Sequence, residues 1–229
     1  MLSEELNIKA ITHTNYKWLF GAFGFYQGMD NEVDMDYKLQ RMSTHKVYDS
    51  PTYGFALYHQ STIDKLFTDA LSLTLGIRYD WEQAHTDYKA YRSINDTTGI
   101  TDSFKSKLTF RQLTPKATLQ YSFSGNQLLY ATVSKGYKSG GFNTSFERDE
   151  DRSFEPEYSW NYEAGTKLNF WQNRIKTELS LFYIDWRNQQ IYQPLPSGKG
   201  SMLKNAGRSE SKGIEFALQA NICNGFMFN

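Results

Sequence analysis

Apolar and polar residues alternate strictly along several long stretches of this chain. In one stretch the apolar residues are Leu71, Leu73, Leu75, Ile77, Tyr79 and Trp81, and the residues between them are Ser72, Thr74, Gly76, Arg78, Asp80 and Glu82. Successive side chains of a strand point to opposite faces of its sheet. A period of two over this length therefore predicts a strand with one apolar and one polar face.

The same pattern recurs at 113–123, 158–170 and 213–222. Pro115 lacks an N–H and is expected to cause a bulge or local kink. Two other stretches leave their orientation open: 16–27 is apolar on both faces, and in 174–191 the alternation slips between Leu181 and Phe182. In all, the pattern predicts strands at 3–12, 16–27, 52–62, 71–82, 107–123, 127–137, 157–171, 174–191 and 202–222.

The connections between these strands alternate in length. Short turns are predicted at 13–15, 125–126, 172–173 and 224–225, with a medium one at 63–70. Long loops are predicted at 28–51, 83–106, 138–156 and 192–201. An antiparallel sheet with short turns at one end and long loops at the other follows from this order.

This asymmetry is typical of an outer-membrane β-barrel, which has short turns on one side, long loops on the other, an apolar outer face and a polar lumen. Trp81 and Trp160 fall at the loop-rich end, and Tyr121, Phe123 and Phe170 at the turn-rich end, as expected for two aromatic girdles. A soluble β-sandwich also alternates, but its strands usually span five or six residues, whereas several runs here exceed ten.

Composition excludes several other classes of protein. The 25 basic and 25 acidic residues of this 229-residue chain balance, so no field attracts nucleic acid. Cys223 is the only cysteine, which excludes an intrachain disulfide and a cysteine-based zinc site. No apolar run approaches the roughly 18 residues of a membrane helix. The start, MLSEELNIKA, lacks the basic flank and apolar stretch of a secretory signal.

The segment YATVSKGYKSGGFN, residues 130–143, contains a glycine pair that suggests a phosphate-binding loop. Such a loop lies between a strand and a helix and ends in Gly-Lys-Ser/Thr. Here Ser139, Gly140 and Gly141 lead into charged loop sequence instead. The glycines are therefore interpreted as the point where a strand passes over a barrel rim into a long loop.

That segment, followed by SFEPEYSWNYEAGTKLNF, LSLFYIDWRNQQIY and KNAGRSESKGIEFALQA, resembles the barrel of TonB-dependent outer-membrane receptors in order and spacing. RYDWE at 78–82 and LTPKATLQYSF at 113–123 resemble the preceding strands. The resemblance covers most of residues 70–225, and residues 1–69 match in pattern alone. It implies an all-β fold, an antiparallel transmembrane β-barrel segment of about nine to ten strands out of about 22.

The resemblance also implies a function. Receptors of this family lie in the outer membrane of Gram-negative bacteria and import scarce ligands such as iron-siderophores, using energy passed from the TonB complex to a plug domain inside the barrel. They are not enzymes and carry no cofactor. No plug precedes Leu6 and the last segment is GFMFN. The expectation is that 1–229 is a partial barrel domain lacking the plug and the C-terminal strands, with an independent ten-stranded barrel as the alternative.

Candidate site residues follow from this frame. Ferric siderophores are mostly anionic and aromatic, so basic and aromatic residues of the long loops are candidate ligand contacts. Pairs of opposite charge on the polar face are candidates for a lumen lining against the plug. The loop candidates are Tyr88, Tyr91, Arg92, Tyr137, Lys138 and Phe142. The lining candidates are Arg78 with Asp80, Glu163 with Lys167, and Lys176 with Glu178.

Two further chemistries remain open. DNEVDMDY, residues 30–37, carries four carboxylates that could ligate calcium, although the glycine spacing of an EF-hand is missing. A rim-active hydrolase or an adhesive barrel is the alternative function. His45 with Asp49, and His85 with Asp87, are the pairs that could serve a hydrolase.

Overall fold

The computed structural model describes residues 1–10, 15–95, 97–124, 127–223 and 226–228. A 12-stranded antiparallel sheet dominates this part of the chain, and two short two-stranded sheets lie beside it. Two 3-10 turns, Lys38–Gln40 and Asp149–Asp151, interrupt the loops. Among the described residues there is no helix with the length and apolar character needed to cross a bilayer.

Ten strands follow one another across the large sheet as hairpins. In order they are β1 (Leu2–Lys9), β2 (Tyr16–Gln27), β5 (Thr52–Ile63), β6 (Leu71–Ile94), β7 (Thr97–Ser124), β8 (Gln127–Lys138), β11 (Glu157–Phe170), β12 (Ile175–Arg187), β15 (Arg208–Cys223) and β16 (Phe226–Phe228). Each connection is local, as expected for antiparallel neighbours. The predicted strand order is confirmed.

The long connections contain more regular structure than the sequence predicted. The 28–51 loop is a hairpin of β3 (Asp30–Tyr37) and β4 (Met42–Asp49), and β4 pairs with the upper half of β6. The predicted 83–106 loop is wrong as well, because β6 and β7 continue as one paired ribbon as far as Ile94 and Thr97. The remaining loops hold β9 (Gly141–Phe142) with β10 (Ser153–Phe154), and β13 (Gln190–Pro194) with β14 (Ser201–Asn205).

Strand boundaries differ from prediction at three other places. β1 ends at Lys9, and residues 11 and 12 of the predicted strand lie outside the described residues. The predicted strands at 174–191 and 202–222 each break, at 188–189 and 206–207. The 172–173 turn is confirmed, with Trp171, Gln172 and Asn173 at positive φ. The turns predicted at 125–126 and 224–225, and most of the one at 13–15, lie outside the described residues.

The pairing register assigns every strand of the large sheet to its two faces, because directly opposed residues share a face. The series Leu73, Leu75 and Ile77 lies opposite Ile63, Ser61 and His59 of β5. Extending the register resolves β2, whose apolar-face residues are Tyr16, Trp18, Phe20, Ala22, Gly24 and Tyr26. Leu57, Leu119 and Leu181 on this face are about half exposed, since none of the described residues covers them.

The expected slip in β12 does not occur. β12 pairs with β11 and β15 in unbroken register through Leu181 and Phe182. Leu179, Leu181 and Tyr183 therefore continue along the apolar face, while Phe182, Ile184 and Trp186 lie on the polar face. Apolar residues on both faces of the upper half produced the apparent slip.

Pro115 causes no bulge between β6 and β7, where it lies directly opposite Ile77. Its effect is on the other edge of β7. Pairing of β7 with β8 runs from Lys116↔Ser134 towards the turn-rich end and does not include Pro115. A residue without an N–H cannot donate to the ladder. Pro115 thus marks the height at which β7 leaves β8 and stays paired with β6 alone.

Candidate ligand-binding surface at the loop-rich end

An aromatic cluster holds the loop-rich ends of the strands together. Tyr48 of β4 and Tyr88 of β6 are each 3% exposed, with ring centroids 4.8 Å apart. Phe104 of β7 and Phe146 of the 143–152 loop lie 5.0 and 5.3 Å from Tyr88. Burial of several rings in contact is a large source of stability. We call Tyr48, Tyr88, Phe104 and Phe146 the outer aromatic cluster.

Arg152 connects the outer aromatic cluster to two carboxylates. Its guanidinium lies 4.2 Å from the centroid of Phe104 and 5.6 Å from that of Phe146. The same guanidinium pairs with Asp149 at 2.9 Å and with Asp102 at 3.4 Å. A cation over two ring faces with carboxylates at its edge fixes the 143–152 loop against the β6–β7 ribbon.

Asn143 ties two loops to each other. Its Nδ2 donates to the carbonyl oxygens of Asp151 and Leu203, both at 2.9 Å, and its Oδ1 accepts from the N–H of Leu203 at 2.8 Å. Asn143 is 5% exposed, so these three bonds replace water. The 139–156 loop and the β13–β14 hairpin are therefore held as one unit.

Gln190 and Lys204 reinforce that unit. Gln190 donates from Nε2 to the carbonyls of Ser139 and Glu155, at 2.8 and 3.2 Å. Lys204 Nζ lies 2.9 Å from Oδ1 of the buried Asp151. Because a buried carboxylate without a partner is costly, Lys204 offsets the cost of burying the Asp151 side chain.

A cavity of about 380 Å³ lies on the polar side of the sheet beneath these loops. One wall comes from strand ends and the base of the β3–β4 hairpin, and the other from residues 139–144. Its lining combines aromatic rings, amides and hydroxyls with one carboxylate, a mixture suited to an organic ligand. The lining includes Phe25, Gln27, Asn31, Ser50, Glu82, His85, Phe142 and Phe154. We call this space the loop cavity.

The glycine pair of the GGFN segment allows this loop to pack closely. A Cβ on Gly140 would lie 2.3 Å from the carbonyl oxygen of Phe154 and 2.9 Å from the ring of Phe110. A Cβ on Gly141 would lie 3.0 Å from the Phe154 ring. The pair therefore serves close backbone contact between β9 and β10.

The three loop candidates on β6 lie in different surroundings. Tyr88 is buried in the outer aromatic cluster, so its part in this structure is to support the loops. Tyr91 is half-buried, with its ring 6.0 Å from the His45 ring. Arg92 is exposed towards the tip of the β6–β7 ribbon. The structure does not bring these three together.

The other three candidates lie along β8 and β9. Tyr137 is half-buried opposite Tyr158, and Lys138 is exposed opposite Glu157. Phe142 is half-buried and lines the loop cavity. Of the six loop candidates, Phe142 is thus the one that borders this cavity.

The polar-face pairs were predicted with mixed success. Arg78 pairs with Asp80, Nη2 to Oδ1 at 2.8 Å, and its guanidinium lies between the rings of Phe23 and Tyr58. Lys167, however, pairs across strands with Glu178 at 2.9 Å. Glu163 instead accepts from the Tyr130 hydroxyl at 2.5 Å. Directly opposed positions such as Lys167 and Glu178 are closer than positions two apart on one strand. This explains why Lys167 pairs with Glu178 and not with Glu163. No partner for Lys176 is seen within the described residues.

The acidic segment and the histidines give no metal or hydrolase constellation. Four carboxylates lie along one face of β3, those of Asp30, Glu32, Asp34 and Asp36. Successive ones are about 7 Å apart along the strand, which is too far for all four to converge on one ion. Over the described part of the chain no group of three His, Cys, Asp or Glu side chains could hold a metal ion.

Neither predicted histidine pair forms. His45 Nδ1 lies 2.7 Å from Asp34 and not beside Asp49. His85 contacts Gln83 at 3.0 Å, while Asp87 pairs with Lys105 at 2.6 Å.

Sequence reasoning missed Asn143, Gln190, Asp151 and the outer aromatic cluster. Asn143 and Gln190 act through backbone groups of distant loops, and no pattern in the neighbouring sequence predicts such partners. The cluster did leave a signal, because Ala84, Thr86, Tyr88 and Ala90 alternate with polar residues as regularly as the strand below them. That alternation could have predicted the continuation of β6.

The family model for the β-barrel of TonB-dependent receptor-like proteins matches residues 3–229. The chain therefore belongs to this family, whose members lie in the outer membrane of Gram-negative bacteria. Its polar face is accordingly the lumen side, its apolar face meets lipid, and its long loops lie outside the cell.

Individual relatives agree with this assignment. The chain is 24% identical over 214 residues to the pesticin receptor of Yersinia pestis, covering 86% of this chain and 30% of that protein. It is 28% identical over 170 residues to the metal-pseudopaline receptor CntO of Pseudomonas aeruginosa, covering 74% and 22%. These matched relatives are receptors, and the chain spans less than a third of their length.

Among solved structures, the ferric yersiniabactin uptake receptor FyuA of Yersinia pestis superposes with a TM-score of 0.78. Sequence identity is 21%, and the match covers 98% of this chain and 33% of that one. The likeness confirms an all-β antiparallel barrel segment.

Proposed function

We propose that this chain forms part of the wall and the outer loops of an active transporter that binds and imports a metal-siderophore complex, with a ferric siderophore as the ligand. The loop cavity is the observation that carries the proposal. It opens on the lumen side, below loops that Asn143 and Gln190 hold in place, and Phe142 and Phe154 give it aromatic surface.

The expected ligand chemistry fits the surroundings of that cavity. An anionic, aromatic ligand gains from ring contacts inside and from cations at the entrance. Lys138 is exposed next to Ser139 of the cavity lining, whereas Arg92 is exposed further out, towards the tip of β6. The names of the relatives, receptors for a metal-pseudopaline complex and for ferric yersiniabactin, support the same class of ligand.

The lumen face supports a role beside a plug domain. Arg78 with Asp80, and Lys167 with Glu178, are ion pairs on the polar face of neighbouring strands, in the part of the sheet below the loops. A plug packed against these pairs would desolvate them, and desolvated ion pairs fix position more than they add stability. In this proposal a plug packs against them and the TonB complex drives its movement. Neither catalysis nor a resident cofactor enters this function.

Uptake of radiolabelled iron by intact cells tests the proposal. A deletion of the gene in its parent bacterium is expected to abolish uptake of at least one ferric siderophore under iron limitation. An uncoupler that collapses the proton gradient is expected to stop uptake but to leave binding to the cells intact. Uptake unchanged in the deletion strain across iron complexes of catecholate, hydroxamate and phenolate siderophores would refute the proposed ligand class.

The Phe142→Ala variant tests whether the ligand binds in the loop cavity or elsewhere. Loss of an aromatic contact is expected to weaken ferric-siderophore binding about tenfold. Leu39→Ala is the matched control, because Leu39 is fully exposed at the tip of the β3–β4 hairpin, away from the cavity. Equal affinity of both variants would show that the cavity is not the binding site.

A further inference from the structure

One carboxylate in the lining of the loop cavity stands between two aromatic residues. Glu82 of β6 lies directly opposite Gly54 of β5 on one side and Phe110 of β7 on the other. Gly54 in turn lies opposite Phe25 of β2. Because directly opposed residues share a face, Phe25, Glu82 and Phe110 form one row across the polar face of four strands.

The glycine of this row brings an aromatic ring close to the carboxylate. A Cβ on Gly54 would lie 2.9 Å from the Phe25 ring and 3.2 Å from the Cα of Glu82. The Phe25 ring therefore lies over the glycine, which puts no side chain between the ring and β6. Phe142 and Phe154 add two more rings to the lining from the loop side. The cavity thus combines one carboxylate with aromatic rings on two of its walls.

The lining supplies no cation to this carboxylate. Among the described residues that line the cavity there is neither lysine nor arginine. The histidine of the lining, His85, follows Glu82 by three residues, so its side chain lies on the opposite face of the strand. There its ring stacks on Tyr53 at 5.7 Å.

The groups closest to Glu82 leave its charge in place. Asp80, two residues below on the same face, already pairs with Arg78 at 2.8 Å. The hydrogen-bonding neighbour of the Glu82 carboxylate is the Ser139 hydroxyl, which is neutral. Glu82 is half-buried. The wall of the loop cavity therefore carries one negative charge that nothing in the lining balances.

A half-buried carboxylate beside aromatic rings is suited to an organic cation. Aromatic rings attract an ammonium group to their faces, and the carboxylate adds an ion pair. Partial burial strengthens both attractions, because less water screens them. The same wall repels an anion, since no positive group lines it.

We infer that the loop cavity binds an alkylammonium group of the imported metal complex, with Glu82 as its ion-pair partner and the rings of Phe25 and Phe142 around it. This inference rests on the proposed function and adds a chemical requirement to the ligand. The negative chelate lies at the entrance, where Lys138 is exposed next to Ser139 of the lining. The ligand is therefore a zwitterionic complex, with its ammonium arm directed into the cavity.

Binding of matched pairs of ferric complexes tests this requirement. A catecholate, a hydroxamate and a phenolate complex are each prepared in two forms, with a free primary ammonium arm and with the same nitrogen acetylated. Ferrioxamine B and its N-acetyl derivative are the hydroxamate pair. Quenching of tryptophan fluorescence measures their affinity for the whole receptor, expressed from its own gene and purified in detergent. In the class that binds, the ammonium form is expected to bind about tenfold tighter than the acetylated form.

The Glu82→Gln variant removes the charge and keeps the size of the side chain. It is expected to abolish the preference for the ammonium form and to bind the acetylated form as the wild type does. Glu32→Gln is the matched control, because Glu32 is exposed and lies on the opposite face of β3 from its neighbour Asn31, which lines the cavity. That variant is expected to keep the full preference. A preference retained in Glu82→Gln would overturn the ion pair.

The Phe25→Leu variant tests the ring separately from the charge. Leucine keeps an apolar side chain at this position but has no aromatic face, so the preference for the ammonium form is expected to fall about threefold. An unchanged preference in this variant would contradict the ring contact.

Two further outcomes distinguish this inference from the proposed function. If both forms of a complex bind the wild-type receptor with equal affinity, the cavity does not select an ammonium group, and the proposed function stands without this inference. If neither form of any complex binds, the proposed function fails and this inference fails with it.

Discussion

Tyr88 shows how a residue predicted to touch a ligand can serve instead to hold the loops. It lies between Tyr48, Phe104 and Phe146 and is 3% exposed. Tyr88→Ala is expected to lower the local stability of the outer hairpins by about 3–4 kcal/mol, through lost contacts and an unfilled cavity. Faster hydrogen exchange of β4 and upper β6 amides is the measurement.

Tyr192→Ala is the matched control for this change. Tyr192 is 75% exposed on β13, and its truncation is expected to leave exchange of β4 unaltered. If Tyr88→Ala also leaves that exchange unaltered, the outer aromatic cluster does not stabilise the hairpins.

Gly140 provides a second test at this scale. Because its Cβ would overlap the Phe154 carbonyl, Gly140→Ala is expected to displace β9 from β10 at a cost of about 1–3 kcal/mol. Gly207→Ala is the control, with no atom within 4 Å of the new Cβ. Limited proteolysis should cut residues 139–156 faster in the first variant alone, and similar rates in both would contradict the packing role.

At the scale of elements, the outer hairpins depend on tyrosines that stay protonated. Burial raises the pKa of both Tyr48 and Tyr88, and the Tyr48 hydroxyl donates to the carbonyl of Thr144. With a folded pKa above the unfolded one, each tyrosine contributes stability that is full below about pH 10 and is lost as pH rises through the folded pKa.

An alkaline titration followed by tyrosinate absorbance should show whether Tyr48 and Tyr88 have a raised pKa. Tyr48→Phe and Tyr88→Phe are each expected to remove one group from the late-titrating class of tyrosines. If Tyr48→Phe removes an early-titrating group instead, the hydroxyl is not buried in solution.

The two parts of β6 show how far a sequence pattern can predict the end of a strand. Below residue 82 of β6 the apolar residues are odd-numbered, and from Ala84 to Ala90 they are even-numbered, with no shift of register between. The part of β6 below residue 82 has lipid on its outer face. The part above it has water on its outer face and packs against the loops on its inner face. An inverted pattern therefore looked like the end of a strand, which is why the β6–β7 ribbon was predicted as a loop.

The molecule as a whole was the most predictable level. Strand order, the two aromatic girdles and the asymmetry of the ends follow from alternation and loop length, because each strand is a local unit facing lipid on one side. Cross-strand partners such as Lys167 with Glu178, and clasps such as Asn143 with Leu203, depend on register and on distant loops. No single segment of sequence encodes them.

Cysteine accessibility in intact cells tests the orientation on which the account rests. In a Cys223→Ser background, Leu39→Cys and Ser197→Cys probe the long loops, and Phe67→Cys and Gln172→Cys probe the short turns. All four positions are exposed. A membrane-impermeant maleimide is expected to label the first two in intact cells, and the other two after the outer membrane is permeabilised. Equal labelling of all four in intact cells would contradict a membrane-spanning barrel segment with its long loops outside.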